Sequence, residues 1–209
     1  MKKSNFKSIL FLLLFFIFIS YLSAEELFVG SVSYLDIDST TEESFNVKYD
    51  TEEDLYYLQT SDWITVGWVI LTPEQFKTLQ ATVDKALDWC TIAKDNQSSI
   101  KKEIPNSNIN CSVLWQYGDD PYINNPYDKL SITFQFFSIE NDVNQILSSL
   151  VLTAPKITAS SNEFVDYKFP HMLIPEDFLQ EFATIITDSN ISSVVEKYNK
   201  AKAAEDLFN

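Results

Sequence analysis

From Leu27 onward the chain alternates apolar and polar positions at the two-residue period of β-strands. The stretches Leu27 to Leu35, Ser44 to Asp50, Leu55 to Gln59 and Trp63 to Leu71 are rich in aromatic and β-branched residues. Within the second, Phe45, Val47 and Tyr49 interleave with Ser44, Asn46 and Lys48. That alternation buries one face of a strand and wets the other, as a half-buried antiparallel sheet requires. At Thr72 the period changes. Thr72-Pro73-Glu74-Gln75 combines a hydroxyl N-cap, a proline where a first helical turn has no donor to lose, and a glutamine placed to close a capping box. The helix it predicts runs to about Lys94 with Phe76, Leu79, Val83, Leu87 and Cys90 on one apolar stripe. The polar stretch through Asn108 reads as a linker.

The pattern then recurs. Ile109 to Tyr117 and Lys129 to Ser138 alternate cleanly, and weaker strand signals follow at Ile146 to Thr153 and Phe164 to Phe169. Pro175-Glu176 opens a helix with Phe178, Leu179, Phe182 and Ile186 inward, and a last helix covers about Ile191 to Leu207. At an offset of 102, Ile70 to Val83 and Met172 to Ile185 agree at six of 14 positions, among them Leu71 with Leu173, Pro73 with Pro175 and Phe76 with Phe178. Convergence on a good cap accounts for these matches at least as well as duplication does. The fold class expected is α+β: an antiparallel β-sheet with helices packed on one face, arranged as a duplicated ββββα unit plus a C-terminal helix. A single domain over 25–209 is expected, divisible into similar halves at 25–100 and 101–209.

Residues 1–24 read as a signal peptide. Lys2, Lys3 and Lys7 precede an unbroken apolar run from Ile9 to Ile19, and Ala24 offers a small residue before the cleavage point. The run is shorter than the roughly 20 residues that span a bilayer, so a cleaved leader and a secreted or periplasmic product, with no stable membrane span, are expected over a retained anchor. All 15 basic residues are lysines, three of them in the leader. The 12 that remain face 30 carboxylates, a net charge of −18 (12 − 30). Nucleic acid and anionic lipid need cationic surface and are excluded as partners by that balance.

An oxidising compartment would allow Cys90 and Cys111 to form a disulfide. Both fall on apolar faces, and closing a loop of about 20 residues would stabilise by roughly 3 kcal/mol.

Catalytic chemistry finds little to work with. His171, the only histidine, lies in an apolar context without a glycine-flanked serine, and reads as structural or surface. No HExxH occurs, the chain lacks arginine, and no glycine-rich loop precedes a helix, so neither metal nor cofactor is expected. The acidic stretch from Asp36 to Asp54 lacks the EF-hand pattern, with Val47 standing where the twelfth-position glutamate would fall; solvated turns explain it. The segment most suited to recognition is Gly118 to Asp128, where Tyr122 and Tyr127 stand among Asp119, Asp120, Asn124, Asn125 and Asp128. The function expected is therefore that of a non-enzymatic exported binding or interaction protein, acidic and soluble, whose partner is a protein, peptide or glycan. The alternative is a secreted, glycosidase-like hydrolase acting through a carboxylate pair.

Overall fold

A computed structural model describes residues 26–61, 65–117, 120–123, 130–159, 162–205 and 207. The expected leader lies outside them. Among the described residues twelve strands and three helices follow in order: β1 Glu26–Asp36, β2 Glu42–Asp50, β3 Leu55–Ser61, β4 Thr65–Leu71, α1 Pro73–Asp95, β5 Ile100–Glu103, β6 Ile109–Tyr117, β7 Asp120–Ile123, β8 Leu130–Glu140, β9 Ile146–Thr153, β10 Ile157–Ala159, β11 Asn162–Tyr167, β12 Met172–Pro175, α2 Glu176–Ile185 and α3 Asp188–Glu205.

The sheet does not stay open. Eight strands pair antiparallel in the ring order β8-β9-β12-β1-β2-β3-β4-β6, and β6 returns to β8 through Ile109↔Ile132, Asn110↔Ser131 and Cys111↔Leu130. This closed, mostly β barrel corrects the expected α+β sheet with helices on one face. Alternation requires one buried face. Curling the sheet until its first and last strands meet satisfies that requirement without leaving two open edges. The short strands outside the ring are edge-protected in the usual ways: β5 carries Lys101 and Lys102, and β7 carries Pro121 opposite Gln116.

The ring is two four-strand meanders in series, and each meander runs into a helix at the same rim. β4 leads into α1 and β12 into α2, and those two strands stand opposite each other in the ring. Both helices therefore cross one mouth of the barrel, antiparallel. Lys94 near the end of α1 pairs with Glu176 at the start of α2 at 2.6 Å, while Gln80 donates to the carbonyl of Ile186 beyond the other end of α2. The caps differ. Thr72 and Gln75 complete the predicted capping box, whereas Pro175 occupies the N-cap position itself and supplies no side-chain bond. Beyond β6, the outer part of β8 continues with β5 and β9 and backs the C-terminal half of α1, where Trp89 meets Phe136 edge-on at 5.6 Å.

The core is the barrel interior. Phe45, Val47, Leu58, Val69, Trp115, Leu130, Ile132, Phe134, Leu150 and Ile174 fill it together with Phe76, Leu79 and Val83 of α1 and Leu179 and Phe182 of α2. The ring is thus packed with side chains. Phe182 meets Phe45 edge-on at 5.3 Å, and Phe76 stacks on Tyr56 at 3.8 Å. A Cβ at Gly30 would lie 2.9 Å from Ile185, so the absence of a side chain there lets α2 seat against β1.

The disulfide is also corrected: Cys90 and Cys111 are both free, both buried, and not within bridging distance. Gln75 donates to the carbonyl of Asn110, so Cys111 sits beside the start of α1. Cys90 lies fifteen residues farther along, about 22 Å at ~1.5 Å per residue.

Candidate functional site

The rim opposite the helices is covered differently. Between β9 and β12 the chain forms β10 and β11, a two-stranded sheet that among the described residues shares no ladder with the ring. It leans over the mouth and encloses, with the ends of β1 to β4, a cleft of about 670 Å³. The barrel wall contributes Tyr34, Asp36, Glu43, Thr60 and Thr65, the β1–β2 turn contributes Asp38, Ser39 and Thr41, and the hairpin side contributes Asp166, Tyr167, Lys168 and Pro170.

Local chemistry sets the turn. The Asp36 carboxylate accepts from the Asp38 amide at 3.0 Å and from the Ser39 hydroxyl at 3.1 Å, folding the chain back on itself as aspartate does in tight turns. Thr41 donates to Glu43 at 3.1 Å and lies 2.6 Å from Ser39. Thr40, between them, has φ of 59°, a left-handed conformation unusual for a β-branched residue. Backbone bonds between Asp36 and Thr40 and between Asp36 and Thr41 hold it there.

Two ion pairs order the hairpin. Lys168 reaches Asp38 at 2.7 Å and Lys156 reaches Asp166 at 2.6 Å, with Thr158 donating to the same aspartate. The Lys168 ammonium, bonded to Asp38 with His171 nearby, holds that carboxyl below its ordinary range, and Lys156 with Thr158 does the same to Asp166. His171 Nδ1 lies 3.3 Å from Asp38, with both side chains 40% exposed.

Beneath the carboxylates the floor is Tyr167. Its hydroxyl lies 3.0 Å from that of Thr60 and its ring stacks on Trp115 at 5.7 Å. Thr60, Gly67 and Trp115 are direct register partners on β3, β4 and β6, so the tyrosine lies across one rung of the barrel.

The sequence favoured another segment. Asp119, Asn124, Asn125, Tyr127 and Asp128 lie outside the described residues, while Asp120 and Tyr122 belong to β7, paired in register with Tyr117 and Trp115. The end of β6 brings β7 to the same rim as the cleft. What sequence reasoning misses is the cleft itself: the Asp-x-Asp-Ser turn reads as solvated, and Asp166-Tyr167-Lys168 falls inside the strand signal at Phe164 to Phe169. The signal was the pairing of a turn-forming acidic run with a lone lysine flanking an aromatic.

No family model matches the chain, and no curated protein or solved structure matches it either. Among the described residues no helix is long and apolar enough to cross a membrane.

Proposed function

We propose that this is an exported binding protein that takes a small organic cation, an amine, into the mouth of its barrel. The observation that carries this reading is the charge of the cleft: among the described residues Asp36, Asp38, Glu43 and Asp166 line it against Lys168 alone. Asp38 and Asp166 already hold lysines, while Asp36 and Glu43 are held by hydroxyls, which leaves the lining net negative. A concave site walled by protein focuses such a field, and a chain with net charge of −18 after the leader reinforces it. The volume lies within the roughly 300–1,000 Å³ usual for small-molecule sites, and barrel mouths commonly host them. Among the described residues no three His, Cys, Asp or Glu side chains converge as metal ligands would, so the field suits a diffuse ammonium better than a bare ion.

A carboxylate-pair hydrolase would need one carboxyl raised to serve as general acid. Asp38 and Asp166, held below the ordinary carboxylate range by Lys168 and by Lys156 with Thr158, do not supply that acid.

Calorimetric titration with spermidine tests the reading. Binding that weakens with salt and drops at least about tenfold in the Asp36→Asn/Glu43→Gln variant is expected. Absence of binding to the unmodified protein, or equal binding by the variant, would overturn it.

A further inference from the structure

A second concavity lies on the outward side of α1, at the helix-filled end of the barrel. It measures about 450 Å³ and runs between the helix and the turn that follows β5. Ile104 and Pro105 form one wall, and Ala81 stands at the middle of the other. The Ile104 amide donates to the Phe134 carbonyl at 3.1 Å and its carbonyl accepts from the Ser107 hydroxyl at 2.7 Å, so that wall is fixed to the barrel. Thr78 and Thr82 also line the groove, but their hydroxyls donate to helix carbonyls, those of Glu74 at 3.0 Å and Thr78 at 2.7 Å. What they leave to the groove is chiefly methyl, and its middle is apolar.

Lysines mark its ends. Lys77 and Lys85 both line it, separated along the helix axis by about 12 Å at ~1.5 Å per residue. Lys102, which precedes Ile104 on β5, shares the Trp89 ring with Lys85: the two ammoniums lie 5.3 Å and 5.9 Å from its centroid. Among the described residues none of these three lysines has a carboxylate within ion-pair distance, whereas Lys48, Lys94, Lys156, Lys168 and Lys200 each do. The carboxylates adjoining them in sequence, Glu74, Asp84 and Asp88 on α1 and Glu103 on β5, pair with none of the three. Cations gathered without counter-ions, in a chain carrying 30 carboxylates, repel one another and attract an anion.

We infer that this groove binds a chain-like dicarboxylate, an apolar methylene chain with a carboxylate at each end. One carboxylate meets Lys85 and Lys102, the other meets Lys77, and the chain lies along Ala81, Ile104 and Pro105. Charge complementarity selects the two end groups, and the apolar middle selects a chain over two separate anions. The volume falls within the roughly 300–1,000 Å³ usual for small-molecule sites. An anionic bilayer is a poor match for the same lysines, because the net charge of −18 on the chain after the leader repels its surface. The site lies at the opposite end of the barrel from the carboxylate-lined cleft and rests on no part of that reading.

Calorimetric titration of the unmodified protein with sebacate, decanoate and succinate at one ionic strength tests the inference. Sebacate has the chain and both end groups, decanoate has the chain with one, and succinate has both without the length. Sebacate should bind saturably and at least tenfold tighter than either of the others. Lys77→Gln should lower sebacate to the level of decanoate while leaving decanoate unchanged, and Lys85→Gln should weaken both. These lysines are exposed, so the melting temperature should stay within a few degrees. Ala81→Phe, which fills the middle of the groove, should block sebacate. Absence of saturable sebacate binding would overturn the inference, as would equal affinity for decanoate or succinate, or sebacate binding unchanged by Lys77→Gln.

Discussion

Tyr167 packs against the backbone of Gly67, and nothing larger than hydrogen fits between them. The contact joins the covering hairpin to the middle of the β3–β4–β6 wall, and it makes a glycine inside a strand necessary where a strand would otherwise be weakened by one. Gly67→Ala is therefore expected to unseat the tyrosine and to destabilise by about 1–3 kcal/mol, the usual range for overpacking. In a double-mutant cycle with Tyr167→Ala, the alanine at 67 should cost far less once the ring is gone. Additive losses in chemical denaturation would show that the two residues do not act on each other.

Acid should loosen the hairpin before it unfolds the barrel. Asp38 and Asp166 have carboxyls held below their ordinary value of 3.8 by Lys168 and Lys156. A carboxyl lowered in the folded state contributes stability that is fully present above its unfolded value and is lost as pH falls through its folded value. The expected window therefore lies below pH of about 4. Hydrogen exchange or proteolysis of residues 156–168 should accelerate there ahead of the barrel strands, and Asp38→Asn should remove part of that pH dependence.

Thr40 pays a conformational cost in the β1–β2 turn, with φ of 59° on a β-branched residue. Replacing it with asparagine, which tolerates this region, should stabilise by up to about 1 kcal/mol. The sign is the test: a fall in melting temperature would mean that the threonine side chain makes a contact worth more than the strain.

Both thiols should resist alkylation in the folded protein, with or without reductant. Burial pushes Cys90 up to about 11 and Cys111 up to about 12, the charge of Glu176 adding to the first. Little thiolate is present at neutral pH, and the sulfur is covered. Two labels are expected after denaturation, and mass spectrometry reads the count. A sample that needs reductant to reach two labels would restore the bridge.

Loss of the α1 capping box should be felt as a single local defect. Thr72→Ala removes the acceptor for the Gln75 amide and leaves the reciprocal Gln75 bond to the Thr72 amide unsupported. About 1 kcal/mol is expected, with no change in the cleft at the opposite rim.

Much of the secondary structure could be read directly, because its causes are local. Strand bounds at Ile109–Tyr117 and Ile146–Thr153 coincide with the alternating stretches, and α1 starts at Pro73 behind the predicted cap. The misses are equally physical. β5 and β7 lie in segments taken for a linker and a loop; Lys101, Lys102 and Pro121 mask them, being the residues that edge strands use to discourage further pairing. The cleft was not legible, since Asp38 and Lys168 are distant in the chain and meet only because β12 returns beside β1.

Periodicity, caps and turn residues determine which segments become strand or helix and which face of each is apolar, because those choices depend on neighbours a few positions away. They do not determine whether an apolar face is covered by a second layer or curls onto itself. That was decided by pairings between remote segments, Leu35 with Leu173 and Cys111 with Leu130, whose hydrogen bonds and buried area outweigh the entropy of closing long loops only when the whole ring forms together. The same closure placed Phe182 and Tyr167 in opposite mouths of one barrel, and so separated the helix-filled end from the end that carries the cleft.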